Sequence, residues 1–410
     1  MGNKIRVVVI PSDNGGCRTW RMTWPHLKLD SLYGDEFDVV INDNPDWNNP
    51  EYFKDFDIVT FHKGTFFNRE GFLNCLKYCK ENHIITIMDV DDYWDLGPNH
   101  PMFIQSTALK NPQKIVENLR LVDYVTTTTE IFAEQIRKYN KNVFIFPNAI
   151  DTEDKQWAPD YSRTDKIRFG FVMGSTHERD LEQFRGTIEK LSADVLEKIQ
   201  IVLCGFDIRG NATVMDKNKN IIGTRPIRPE ESVWTRYEKL VTADYRFCDG
   251  NYKNFLLKFL PNSTYPNVEH EFYRREWTKN LNTFGTHYNN IDILLVPLAK
   301  TEFNKYKSEL KIVESGFKHK GVIVSDFGPY TIGTKSIFKK GGEIDPTGNC
   351  VLIDPVNAHK EWGKAITKIV RNPELVDLLQ NNNYNHVKDE YNLDNVTKIR
   401  AEWYHKITGK

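Results

Sequence analysis

The sequence predicts an α/β protein made of two doubly wound, parallel-sheet domains that face each other across a cleft. Three observations predict it. Short β-rich runs alternate with helical stretches along the chain, the strand–turn–helix opening at Ile5 is repeated at Ile167, and a polar, aperiodic segment separates the two series. Continuous apolar strands alternating with amphipathic helices imply a parallel sheet covered on both faces.

In the first series the expected strands are Ile5–Ile10, Phe37–Ile41, Asp57–Phe61, Ile84–Asp89, Tyr124–Thr128 and Val143–Pro147, with helical patterns such as Arg69–Asn82 and Glu130–Tyr139 between them. Residues 1–150 are therefore expected to form the first Rossmann-like domain. Pro147-Asn148-Ala149-Ile150-Asp151 interrupts the pattern, and Asp151–Lys166 reads as a linker. Residues 151–393 form the second expected domain. Its strand candidates are the run at Ile167, Ile201–Cys204, Ile291–Pro297, Val322–Ser325 and Cys350–Ile353, and its helices are Glu309–His319, His359–Val370 and Pro373–Tyr391. A last helix, 394–408, carries Val396, Ile399, Trp403 and Ile407 at helical spacing and is expected to pack back on the first domain. Asp207–Cys248 is loop-rich and has no secure assignment, and Leu260–Asn267 reads as a loop from Pro261, Asn262, Ser263 and Pro266.

Composition narrows the function. Lys plus Arg number 55 and Asp plus Glu 56, for a net charge of -1, so no nucleic-acid footprint stands out. The apolar run Val7–Ile10 is too short for a signal peptide, and no stretch approaches the ~18 apolar residues of a membrane span. Gly2 is followed by a sequence without the Ser/Thr of a myristoylation signal. Cys17, Cys75, Cys79, Cys204, Cys248 and Cys350 are scattered, as thiols in a reducing cytosol would be. These features point to a cytoplasmic protein, peripheral to a membrane at most.

The most informative segment runs from Phe303 to Tyr330, FNKYKSELKIVESGFKHKGVIVSDFGPY. Ser308 has the chemistry of an N-cap for a helix over Glu309–His319. Leu310, Val313 and Phe317 make an apolar stripe, and Lys307, Lys311, Glu314 and Lys318 share one adjacent face. A helix start offers free N–H groups and partial positive charge to a phosphate, Lys307 and Lys311 would add full charge, and Glu314 could accept from two ribose hydroxyls. Spacing alone is equally that of a solvated face with Lys–Glu pairs.

The segment resembles the C-terminal domain of the large group 1 glycosyltransferase family, the family 4-like enzymes that mostly retain anomeric configuration. In that family a loop-and-helix motif carries two Glu residues separated by seven others. Glu314 falls on the second, whereas Tyr306 stands in place of the first. Phe303, Asn304, Lys307, Ser308, Leu310, Lys311, Glu314, Ser325, Asp326, Gly328, Pro329 and Tyr330 match one subgroup's pattern. Gly174-Ser175-Thr176-His177 with Arg179, Asp180 and Leu181 is similar to the first turn of its donor domain, and Pro147-Asn148 with Asp151 to its interdomain segment. Asp89-Val90-Asp91-Asp92, Trp94 and His100-Pro101 resemble a segment of its acceptor half. The family's Arg and Lys pair after the first donor-domain strand is not evident, and Arg179 is the substitute on offer.

The resemblance implies a type B glycosyltransferase fold and transfer from a nucleoside-diphosphate sugar to a glycan or lipid-linked glycan hydroxyl, with retention and without a metal or other cofactor. It implies donor binding by Ser175, His177, Arg179, Ser308, Lys311, Glu314, Gly328, Pro329 and Tyr330. Lys307 and Lys311 would stabilise charge on the leaving diphosphate, and Asp91 or Asp92 would orient the acceptor or act as its base. The turn Asp13-Asn14-Gly15-Gly16, followed by Cys17, Arg18 and Arg21, is expected to face both donor phosphate and acceptor; a plain tight turn is the alternative. The carboxylates Asp89, Asp91 and Asp92 could suit a divalent metal, but the resembling fold generally works without one. A nucleotide-sugar-binding protein without transfer activity, kept in play by Tyr306, and a sugar-nucleotide epimerase on the same fold are the other readings.

Overall fold

The computed structural model describes residues 4–410 apart from 14, 218–220 and 340. Two six-stranded parallel sheets dominate it. The first contains β1 (Ile5–Ile10), β2 (Phe37–Ile41), β3 (Ile58–His62), β4 (Ile85–Asp89), β5 (Tyr124–Thr127) and β6 (Val143–Ile145) in the order β2-β1-β3-β4-β5-β6. Its central strand sets Val7 opposite Val39 on one side and Ile58 on the other. Val7, Val8, Val9 and Ile10 are all fully buried, which is why this run shows no alternation: a parallel strand is covered on both faces.

The second sheet is built from β7 (Ile167–Val172), β8 (Ile199–Phe206), β11 (Tyr273–Trp277), β12 (Ile293–Val296), β13 (Gly321–Ser325) and β14 (Val351–Ile353), in the order β11-β8-β7-β12-β13-β14. Between β8 and β11 the unassigned stretch forms an antiparallel hairpin of β9 (Asn211–Met215) and β10 (Ile221–Pro226), then the helix Val233–Val241. Strand β11 is absent from the sequence reading because YRREW carries three charges in five residues. Its charges are paired internally: Arg275 donates to both oxygens of fully buried Glu238, at 2.7 Å each. Leu260–Asn267 is loop.

The chain crosses back at Ile150, whose N–H donates to Tyr391 and whose carbonyl accepts from Leu393. The final helix, Leu393–Thr408, then packs on the first domain. Trp403 stacks on Phe144 with ring centroids 5.0 Å apart, and Tyr404 Oη meets His26 Nε2 at 2.9 Å. Of the four apolar residues marked in the sequence, Val396 and Trp403 are buried but Ile399 is 48% exposed. No helix among the described residues is long and apolar enough to cross a membrane, and all six cysteines are free.

Candidate active site in the interdomain cleft

Strand ends of both sheets converge on the cleft, and two adjoining cavities open there. The larger, about 330 Å³, lies between Gly16, Trp20 and Asp91 of the first domain and Phe284, Ser308, Lys311 and Glu314 of the second. Its floor is the helix Leu310–Phe317. This helix begins one residue later than the sequence suggests: Glu309 occupies the N-cap position, and Ser308 Oγ instead accepts from Asn148 Nδ2 at 2.9 Å, joining the two domains. The first N–H groups of this helix are free of intrahelical partners. Glu314 is 1% exposed, and both its hydrogen bonds land on Oε2, from Tyr288 Oη at 2.5 Å and from Lys311 Nζ at 2.7 Å. The Lys311 ammonium also sits 4.8 Å from the centre of the Phe284 ring.

The late helix start separates groups that the spacing places together. Lys307 precedes the helix, its ammonium lies 5.0 Å from the Phe303 ring centre, and it lines the second cavity. Lys318 is buried behind the helix and donates to the carbonyls of Gln156 and Ala158. The shared face of Lys307, Lys311, Glu314 and Lys318 is therefore not realised; only Lys311 and Glu314 meet.

Across the larger cavity, the carboxylate of Asp91 is held by two groups. His62 Nε2 donates to its Oδ1 at 2.9 Å, and Lys63 Nζ lies 2.7 Å from the same oxygen. With that proton on Nε2, His62 Nδ1 accepts from Ser12 Oγ at 2.5 Å. Burial opposes the charge on Asp91, but Lys63 and His62 outweigh it and hold the carboxyl well below its ordinary range. Burial and then Asp91 push the neighbouring Cys17 thiol up, so it stays protonated. Asp92 is 4.0 Å from Lys63 Nζ.

The glycine turn reaches the same cavity through Gly16, while Gly15 is exposed beside it; Asn14 lies outside the described residues. Arg18 and Arg21 both pair with carboxylates of the first domain, and Arg21 lines the larger cavity. Arg18 turns outward to pair with Asp43. Arg21 is 2% exposed and donates to both oxygens of Asp89, to Phe146 O and to Asn148 Oδ1, so four of the five guanidinium N–H groups are taken by the first domain. Asp89 also accepts from Thr126 Oγ1 at 2.7 Å.

The second cavity, about 190 Å³, is formed by Tyr93 and residues 95–101 of the first domain with Thr176, Arg179, Phe303 and Lys307 of the second. On its rim His177 Nδ1 contacts Asp180 Oδ2 at 2.7 Å, while Asp180 Oδ1 accepts from Ala299 N and Asn304 Nδ2, each at 2.8 Å. Ser175 is exposed and its carbonyl accepts from Tyr237 Oη. Gly328 adopts φ +59 and packs against the Asn304–Lys305 backbone, while Pro329 and Tyr330 are buried, and none of the three lines either cavity.

Tyr306, where the resembling family has its first Glu, faces neither cavity. It is 4% exposed and inserts into the core of the first domain, 4.8 Å from the Tyr93 ring and 5.5 Å from Phe132, and its Oη donates to Glu302 Oε1 at 2.8 Å. Among the described residues two clusters have metal-type ligands, Cys17–His62–Asp91 and, fully buried, Cys204–Glu276–His287. In each a lysine stands near the carboxylate, Lys63 at 2.7 Å and Lys279 at 3.6 Å, so the carboxylate's charge is already offset and a cation would meet repulsion. Phe284, Tyr288, Trp20 and Leu281 line or support the larger cavity without a sequence signal. The short 3₁₀ segment Phe284–Asn290 has neither helical nor strand period.

These two sheets, the crossing C-terminal helix and the cleft between strand ends define the two-Rossmann, type B fold of glycosyltransferases. Among solved structures, HepE of Anabaena in complex with UDP matches with TM-score 0.63 and 10% identity, covering 98% of this chain and 100% of that one. Sucrose-phosphate synthase of Thermosynechococcus elongatus matches with TM-score 0.62 and 10% identity over 99% and 100%. The catalytic domain of starch synthase IV from Arabidopsis thaliana, bound to ADP and acarbose, matches with TM-score 0.59 and 10% identity over 100% of both. No family model matches the sequence, and no curated protein matches it significantly.

Proposed function

We propose that the protein is a glycosyltransferase that moves a sugar from a nucleoside-diphosphate sugar to a hydroxyl of a glycan or lipid-linked glycan, with retention of anomeric configuration. The observation that carries this reading is Glu314, buried at the back of the larger cavity with Tyr288 and Lys311 on one oxygen. That leaves Oε1 for the hydroxyls of a ribose. The Phe284 ring offers a flat face to a base. The helix start and Lys311 supply positive charge to a diphosphate, and Gly16 lets the backbone of the opposite domain approach it. HepE, of the same fold, has also been solved with UDP-glucose.

Catalysis in this reading is electrostatic: Lys311 and the helix start stabilise the charge that grows on the leaving diphosphate. Asp91, held well ionised by Lys63 and His62, is a weak proton acceptor. It orients the acceptor, with Asp92 beside it, and the departing phosphate oxygen takes the acceptor proton on the same face. No metal is needed where lysine and helix start already meet the phosphates. The free thiols agree with a reducing cytoplasm.

Glu314→Gln keeps the shape and removes the charge, and is expected to weaken nucleotide binding by about 1.5–3 kcal/mol. Calorimetry with UDP and ADP measures this, and an unchanged affinity removes Glu314 from the site. Proton NMR of the first-formed product checks the stereochemistry: an inverted anomer rejects retention and turns attention to Asp91 as base.

A further inference from the structure

Ser308 belongs to the second domain, yet its hydroxyl is held from the first. We infer that Asn148 is a positioning residue for the nucleotide: by donating to Ser308 Oγ it leaves the hydroxyl's own proton facing the larger cavity and the diphosphate. The inference rests on the larger cavity being the nucleotide site.

Chemistry fixes the direction of each bond in this relay. Arg21 is 2% exposed and carries only N–H groups, so the Asn148 atom 3.2 Å from its Nη1 is the carbonyl oxygen. The Asn148 amide nitrogen then faces Ser308 Oγ at 2.9 Å and has only hydrogens to offer. Ser308 therefore accepts. Its Oγ makes no other hydrogen bond among the described residues, so its proton is uncommitted. Asn148 and Ser308 both line the larger cavity. Arg21 is itself fixed, since its Nε and Nη2 donate to Asp89 at 3.1 and 2.8 Å, and Thr126 Oγ1 donates to the same carboxylate.

A held hydroxyl differs from a free one. The proton of an unheld serine rotates, and its oxygen lone pairs can face a phosphate as readily as the proton does. Filling a lone pair from the first domain settles the orientation before the ligand arrives. The Ser308 proton then joins the free N–H groups at the start of the helix Leu310–Phe317 and the Lys311 ammonium. Asn148 is 7% exposed, so the phosphate-binding set of the second domain is completed by a buried group from across the cleft.

Calorimetry tests this with whichever of UDP, ADP and GDP the parent binds best, and with the matching nucleoside. The variants are Ser308→Ala, Asn148→Ala, Asn148→Asp and the two double variants, each checked for folding. Ser308→Ala is expected to weaken the diphosphate about tenfold, the loss of one hydrogen bond to a charged group, and to leave the nucleoside within about twofold. Asn148→Ala frees the hydroxyl without adding charge and weakens the diphosphate about threefold, the cost of choosing one staggered position among three. Asn148→Asp can only accept, so it draws the Ser308 proton away from the cavity and costs more than Ser308→Ala. The double variants decide. In the Ser308→Ala background, Asn148→Ala has no further effect, and Asn148→Asp costs about tenfold less than it does in the parent. Equal losses with and without the Ser308 hydroxyl overturn the relay, because Asn148 then acts on the nucleotide directly or by charge. A nucleoside loss equal to that of the diphosphate also overturns it, as damage to packing. If Asn148→Asp does not fold, the Asn148→Ala cycle decides alone. A Ser308→Ala variant that binds the diphosphate like the parent overturns the relay and leaves the nucleotide site standing. A parent that binds none of the diphosphates overturns both.

Discussion

The two cavities of the cleft share a wall but differ in how their charges are kept. In the larger, each charged group has a partner before any ligand arrives: Glu314 with Tyr288 and Lys311, Asp91 with His62 and Lys63. In the smaller, Arg179 and Lys307 have no carboxylate partner among the described residues. Paired groups are oriented in advance, so little reorganisation is needed when charge develops. The smaller also carries the carboxylates of Asp95, Asp180 and Glu302, so its wall is of mixed charge that a ligand would have to order. The first arrangement suits a reaction centre.

The largest effect is expected at the residue that holds the cavities together. Tyr306 belongs to the second domain yet is buried among Tyr93, Trp94 and Phe132 of the first. Tyr306→Ala removes a large aromatic from that core and is expected to cost about 3–5 kcal/mol of stability. Tyr306→Phe removes only the hydrogen bond to Glu302 and is expected to cost about 1 kcal/mol. Urea unfolding of both variants measures the difference. Equal, small losses would mean that the domains are held apart in solution and that the cavities do not share a wall.

Lys311 comes next, and Lys307 is its control. If the paired cavity is the reaction centre, Lys311→Ala lowers turnover by about 100- to 1,000-fold, whereas Lys307→Ala, outside that cavity, has a far smaller effect on it. Lys311→Arg need not rescue, since the ammonium is a compact point charge bonded to Glu314. Steady-state kinetics with donor and acceptor varied separately distinguishes the two lysines. Equal loss of kcat in both single variants would merge the cavities into one site.

The separation of these lysines marks where sequence reading stops. Both sheets were legible because parallel strands bury both faces and read as unbroken apolar runs: Val7–Ile10 and Ile293–Val296 stand out at once. Strand β11 was not, because Arg275 is neutralised by Glu238, more than thirty residues away, and nothing local announces that pair. Glu314 and Lys311 were legible as a helix pair one turn apart. Lys307 was placed with them because Ser308 reads as an N-cap, yet the Ser308 hydroxyl goes to Asn148, a partner 160 positions away. Arg21 beside two glycines reads as a loop cation; its bonds to Asp89, Phe146 and Asn148 are a tertiary fact. Phe284 and Tyr288 had no signal at all, since a 3₁₀ turn has no amphipathic period to read.

The smallest effect concerns Glu309, at the head of the helix that carries Lys311 and Glu314. A charged carboxylate there would offset the attraction of the helix start for a diphosphate. The structure avoids this by burial: Glu309 is 4% exposed, its Oε2 has no partner, and burial raises its pKa to about 7. Tyr391 and Arg21 favour the charged form but are outweighed by burial. Because the folded-state pKa exceeds the ordinary 4.5, the folded protein binds more protons than the unfolded one between those values. Its contribution to stability is full below pH ~4.5 and declines as pH rises through about 7. Glu309→Gln keeps the neutral shape at every pH and removes that slope. The variant is expected to match the parent near pH 5 and to exceed it near pH 8 by roughly 3 kcal/mol at most. Other titrating groups are common to both proteins and cancel in the difference. Denaturant unfolding at both pH values measures it, and parallel profiles for parent and variant would mean that Glu309 is already ionised at pH 5, with its charge standing beside the donor phosphates.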